Sequence, residues 1–194
     1  MTRFALACVA SVLACGAPDS AAPDPIGPCG ARTVDVPLQL GLHVMPGAEI
    51  TTWTSNPPAT GTHYFFWAKW GRTYPTPVPR GYWLHNAEHG GMVFLYNCPR
   101  GCADQVAALE AVEASMPVDP RCTPPILRRT LVAPDPLLPA DVTIAAVAWG
   151  YAYTASCVDP DTLREFALAH YGMNYENICD NGSYPDPDPP PVDP

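Results

Sequence analysis

The stretch LHNAEHGG, Leu84 to Gly91, sets His85, Glu88 and His89 within five positions. Imidazoles and carboxylates donate electron pairs, carry protons and make hydrogen bonds. Three chemistries are therefore open: a metal site, catalysis without metal, or a polar network between core elements. Spacing narrows the choice. On a helix, residues four apart share a face with Cβ atoms about 6 Å apart, close enough to share an ion. On a strand the same two residues stand about 13 Å apart, and two bonds of about 2.0 Å cannot span that gap. Chelation by both histidines requires a helical or tightly turned segment. Gly90-Gly91 predicts one, because a glycine pair stops a helix and lets the chain turn.

Other donors lie nearby in the chain. Four of the five histidines fall between His43 and His89. His63 follows a Gly-bearing turn, so His63, His85 and His89 could make a three-imidazole site with an open position. Glu88 is then a fourth ligand, a base, or the carboxylate that orients a histidine, and Asn86 is its polar neighbour. His43 and Met45 are two apart, hence on one face of a strand. Imidazole with thioether suits copper better than a hard cation, so copper is the first expectation and zinc the second. The same two residues also read as core. Met92 reads as core. His170 reads as structural, on the apolar face of a helix near its C-terminus.

Trp53, Trp67, Trp70 and Trp83 lie within 31 residues, with Tyr64, Tyr74 and Tyr82 among them. Such rings stack on sugars or extended peptides, or form the core of Pro-rich loops. The first alternative gives a non-metal binding module for envelope glycan or peptide.

The compartment follows from the N-terminus. Arg3 precedes a ten-residue apolar run, Phe4 to Leu13, too short to span a bilayer as a helix. Residues 1–14 read as a signal peptide. Val12-Leu13-Ala14-Cys15 resembles a bacterial lipobox, which would lipidate Cys15 and anchor the chain to a membrane. An ordinary cleaved signal is the alternative, and either exports the chain to the cell envelope, facing periplasm or exterior. Of eight cysteines, Cys8 leaves with the signal. Cys29, Cys98, Cys102, Cys122, Cys157 and Cys179 remain, an even number that in an oxidising compartment predicts three disulfides among fifteen pairings. Net charge is −9 and Lys69 is the only lysine, so the basic footprint of a nucleic-acid binder is missing.

Residues 15–28 are Pro/Ala-rich and read as a tether. Residues 180–194 are acidic, Pro-rich and predicted to be disordered. Residues 29–179 are long enough for one real core. Gly91–Asn97 is a short apolar run, hence a buried strand. Ala103–Met116 has helical spacing and Pro117 stops it. Ile126–Ala133 and Thr143–Tyr153 read as strands. Asp159 can cap a helix that Pro160 opens and Gly172 ends. Leu38–Met45 is a candidate strand, and the rest of the N-terminal half is loop-rich. The order β-α-β-β-α predicts a single, disulfide-stabilised α+β domain: a mainly antiparallel sheet with two helices on one face and a ferredoxin-like core.

Two resemblances add to this. His85, Glu88 and His89 fit H-x-x-E-H, the inverzincin pattern, which implies a zinc-dependent hydrolase with Glu88 activating water. That match covers five residues, and no clear downstream acidic helix offers a third ligand. A longer one covers PPATGTHYFFWAKWG (Pro57–Gly71), YWLHNAEHGGMVFLYNC (Tyr82–Cys98) and AVAWG (Ala146–Gly150). In that order these resemble the motifs of the bacterial domain of unknown function 3105 family over roughly Leu42 to Tyr171. The resemblance implies that His63, His85, Asn86, Glu88 and His89 are the family's polar motif positions. It carries no activity. The leading expectation is an exported metal-binding lipoprotein for sequestration or delivery, with a metal-accepting envelope protein as partner.

Overall fold

The computed structural model describes residues 23–184. The expected signal peptide, Cys15 and residues 185–194 of the tail lie outside them. Eleven elements follow in chain order: β1 (Arg32–Asp35), β2 (His43–Val44), β3 (His63–Tyr64), β4 (Arg72–Thr73), α1 (Arg80–Glu88), β5 (Met92–Tyr96), α2 (Ala103–Ala114), β6 (Thr130–Pro134), β7 (Ile144–Ala148), β8 (Tyr151–Ala155) and α3 (Pro160–His170). None of the described helices is long and apolar enough to cross a membrane.

A six-stranded sheet has the order β1-β8-β7-β5-β6-β4. Its β1–β8, β8–β7 and β7–β5 pairs are antiparallel, and β5–β6 and β6–β4 are parallel. The mixed α+β domain with a mainly antiparallel sheet is as expected. The ferredoxin-like order is corrected, because that order would set an antiparallel strand between β5 and β6. Here β5 and β6 are direct neighbours, with Val93 opposite Leu131 and Phe94 opposite Val132.

The expected strand Thr143–Tyr153 is a hairpin. Trp149-Gly150 turns it, with Gly150 at φ 84°, a conformation glycine adopts without Cβ strain. Both arms are largely buried, so their apolar runs join without a polar break to mark the turn. Only Thr130 onward of Ile126–Ala133 is strand, and only His43–Val44 of Leu38–Met45.

Side-chain alternation along β5 divides the core. Met92 and Phe94 face one way, with Leu109 and Val112 of α2 and Leu163 and Phe166 of α3. Those are the two expected helices on one face. Val93 and Leu95 face the other way, toward Trp83, Leu84 and Ala87 of α1, a third helix on the opposite side. Each fully buried large apolar side chain contributes about 1.5–3 kcal/mol.

Three disulfides close the six expected cysteines: Cys29–Cys157, Cys98–Cys102 and Cys122–Cys179. Two join residues 128 and 57 apart, the third residues 4 apart. Chain entropy makes the long closures worth about 4–5 kcal/mol each and the short one about 2. The first residues of the expected tail are not free. Ser183 and Tyr184 donate backbone N–H groups to the Trp67 carbonyl, and Tyr184 stacks on Tyr82 at 4.2 Å.

Candidate metal centre

Helix α1 has no side-chain cap at Pro79 and ends at Glu88, with Gly90 just past the His89 cap at φ 78°. Seven of its nine residues are buried. Trp83, Leu84 and Ala87 pack on the sheet, which turns the face bearing His85, Glu88 and His89 toward the loop-rich half. The helical reading of LHNAEHGG therefore holds.

Two short strands bring the remaining donors. β2 and β3 pair in parallel with His43 opposite His63. His63 N–H donates to the Leu42 carbonyl at 3.0 Å and Phe65 N–H to the Val44 carbonyl at 2.8 Å. The imidazoles then stand side by side, centroids 4.5 Å apart. Close approach of this pair to α1 depends on glycine. A Cβ on Gly81 would stand 2.7–2.9 Å from the Tyr64 ring. A Cβ on Gly41 would run into Glu88 Oε1.

One donor atom from each of His43, His63, His85 and Glu88 lies within 4.8 Å of the other three. His63 Nε2 is 2.9 Å from Glu88 Oε2, His43 Nε2 is 3.6 Å from the same oxygen, and His43 Nε2 is 3.3 Å from His85 Nε2. Four ligands at about 2.0–2.1 Å around a tetrahedral ion stand roughly 3.3–3.4 Å apart. These three separations bracket that value.

The ring orientations are set from behind. A carbonyl only accepts, so His63 Nδ1–H donates to Gly61 O at 2.8 Å and His85 Nδ1–H to Tyr64 O at 2.7 Å. In the neutral rings Nε2 then carries a lone pair aimed into the cluster, as backbone partners arrange for metal-binding histidines. Burial, then the neighbouring His63 and His89, push His85 down to about 2, so it is neutral at pH 7. Burial also lowers His43, with His63 adding to the effect. His63 Nε2 and Glu88 Oε2 are buried and have no hydrogen-bond partner among the described residues. Their 2.9 Å approach lacks hydrogen-bond alignment. Two lone-pair atoms at that distance repel unless a cation or a proton lies between them.

His89 lies beside the group rather than in it. Its Nε2 is 3.1 Å from His85 Nε2 and 3.4 Å from Glu176 Oε2. Burial pushes it down to about 4, against the raising effect of Glu88. Met45 is 54% exposed. Asn86 accepts from Ala68 N–H at 2.9 Å and donates to Ala68 O at 2.8 Å, acting as a strand edge would. That holds the Trp67 loop, and Trp67 packs on His85 and His89 at 5.0 and 4.5 Å. Trp149 meets His63 edge-on at 5.6 Å, which gives the late Ala-Trp-Gly motif a place at the site.

Trp70 and Trp83 are buried while Trp53 and Trp67 are half-buried, so the four tryptophans form no continuous face. His170 stacks on Tyr151 at 3.9 Å and packs near Phe166 of the other core. Glu176 went unseen in the sequence, since 87 positions separate it from His89 and no pattern links them.

Fold and site define a disulfide-braced α+β domain with a three-histidine, one-carboxylate cluster, buried except at His43, that could hold a metal ion. The chain belongs to the family described as "Protein of unknown function (DUF3105)", whose pattern matches residues 43–181, more than half of the chain. No curated protein and no solved structure matches it. The three disulfides suggest an oxidising, exported environment.

Proposed function

We propose that this chain is an exported envelope lipoprotein, anchored through Cys15, that binds a divalent transition metal through His43, His63, His85 and Glu88. The observation that carries the reading is the convergence of four electron-pair donors, two of them buried without a hydrogen-bond partner among the described residues. Three imidazoles and one carboxylate are a nitrogen–oxygen set without sulfur. That set suits copper(II) and zinc, with copper(II) bound more tightly in the affinity order of divalent ions. The copper-first order here rests on that affinity series and does not use the Met45 thioether.

Access supports sequestration or delivery. The side chains of His63 and Glu88 are 0% and 1% exposed, while that of His43 is 36% exposed. A single exposed ligand gives one side from which an ion enters or passes to a metal-accepting partner. A hydrolase using Glu88 needs an open position and a substrate path, and Glu88 is instead buried among the donors. A glycan- or peptide-binding face has less support, with two of its four tryptophans in the core.

The test is metal analysis of untagged protein after loading with copper(II) or zinc and exhaustive dialysis. The reading expects about one equivalent, a single four-donor site. Retention below roughly one-tenth equivalent contradicts it, since a closed site of this type does not lose its ion to dialysis.

A further inference from the structure

A second group of chemically capable side chains lies at the other end of β5. Cys98 and Cys102 follow Tyr96, whereas Glu88 and His89 precede Met92, so the strand separates them from the histidine cluster. Cys98-Pro99-Arg100-Gly101 is a turn closed by Gly101 N–H to Cys98 O at 2.9 Å, with proline at its second position and Gly101 at φ 82°. Cys102 is the N-cap residue of α2, and no side chain caps that helix. Both cysteines are half-buried, and Pro99, Arg100, Gly101, Ala103 and Asp104 around them are exposed.

This bridge braces little. Stabilisation by a disulfide grows with the logarithm of the loop closed, and this loop joins two elements already consecutive in the chain. The other two bridges tie segments 128 and 57 residues apart. Its position is also informative. In β5-α2-β6, followed by the β7–β8 hairpin and α3, the strand order β8-β7-β5-β6 has β7 antiparallel to both neighbours and α2 and α3 on one face. A cysteine pair beside a βαβ unit is the setting of thioredoxin-like redox motifs, although their spacing is C-x-x-C and this pair, between β5 and α2, is C-x3-C.

From this placement we infer that Cys98–Cys102 is a redox-active disulfide that exchanges with a protein dithiol in the exported compartment. A partner thiolate attacks Cys98 Sγ, the Cys98–Cys102 bond breaks, and Cys102 leaves as a thiolate at the N-terminus of α2. The helix dipole, at an N-terminus that no side chain caps, stabilises it there, with Arg100 two residues away, while Asp104 in the first turn opposes. The partner's second thiolate then attacks the mixed disulfide, and Cys98 leaves. Two electrons and two protons pass from the partner dithiol, which becomes a disulfide, to Cys98 and Cys102, which become thiols. The inference is independent of the metal reading.

The test equilibrates the intact oxidised protein in glutathione buffers of graded potential, traps thiols by alkylation and locates them by mass spectrometry. Cys98 and Cys102 are expected to open while Cys29–Cys157 and Cys122–Cys179 stay closed and circular dichroism stays native. Under dithiothreitol they should open at least roughly a hundredfold faster than the other two. Opening of all three together, or only with unfolding, overturns the proposal. The Cys98→Ser variant leaves Cys102 free at the helix start. Its alkylation rate against pH should give a thiol pKa below the ordinary value of about 8.5, and a value at or above that also overturns it.

Discussion

His63 Nε2 and Glu88 Oε2 face each other at 2.9 Å in the interior, and no hydrogen bond joins them. They come from different halves of the site, one from a two-residue strand and the other from the last residue of α1. Such an approach between two electron-rich atoms calls for a positive charge between them. A metal ion would supply that charge.

Glu88→Gln removes the only anionic donor of the group and keeps its shape. Its amide can donate to His63 Nε2, so the metal-free variant is expected to melt at or above the parent temperature. Affinity for zinc or copper(II) should fall on the order of 100-fold, about 2.8 kcal/mol. Thermal melts with and without metal check both halves. A variant that keeps its full metal-dependent rise in Tm would contradict the ligand role.

His43 and Met45 separate two versions of the site. His43→Ala removes the exposed donor of the cluster and should weaken metal binding by at least about tenfold, while leaving the metal-free fold within about 0.5 kcal/mol. Met45→Ala, on an exposed side chain, should leave both unchanged. Competition titrations against a chromophoric chelator read the difference.

Gly81→Ala reverses a common rule. In an exposed helix interior this change stabilises by about 1 kcal/mol. Here the new methyl meets the Tyr64 ring at 2.7–2.9 Å. Overpacking of that kind destabilises by about 1–3 kcal/mol, and it pushes the Tyr64 carbonyl away from His85 Nδ1. Denaturant unfolding should show the loss, and metal affinity should drop with it.

Asp119 and Arg129 form a buried pair that reaches the site from below. Asp119 Oδ2 accepts from Arg129 at 2.6 and 2.8 Å, and Arg129 Nη1 donates to the His89 carbonyl at 2.6 Å. Burial alone would raise the Asp119 carboxyl. Hydrogen bonds from Arg121 N–H, Tyr171 and Arg129, with the Arg129 charge, outweigh it and hold Asp119 below its ordinary value. The native state then binds the Asp119 proton less readily than the unfolded chain. Its contribution is therefore present above about pH 3.8 and is lost as pH falls further. Asp119→Asn should cost about 3–5 kcal/mol at neutral pH, because Arg129 is left buried without its counter-charge. It should also flatten acid unfolding below that pH. Urea unfolding at pH 7 and across the acid range measures both.

The parts of this molecule that were legible in the sequence are those with local causes. Four-residue spacing and a closing glycine pair identified α1 as the carrier of His85, Glu88 and His89. Asp159-Pro160 marked the start of α3, where Asp159 does accept from the Asp161 N–H. The rest depends on tertiary packing. β2 and β3 are two residues each, too short to show alternation, yet their pairing sets His43 against His63 across twenty positions. The Trp149-Gly150 turn lies between two buried strands, so no polar residue announces it. Strand order was illegible for a like reason: β5 is buried on both faces, so its side-chain pattern does not name its neighbours. Glu176 approaches His89 only because the chain after α3 folds back on α1, with Ile178 N–H donating to the His89 carbonyl.

The most direct measurement is anomalous diffraction at the zinc or copper edge from crystals of the loaded protein. One peak is expected, about 2.0–2.2 Å from His63 Nε2, His85 Nε2, His43 Nε2 and a Glu88 carboxylate oxygen. An empty cluster, with His63 and Glu88 bridged only by a proton, would contradict it. So would a peak held by other residues.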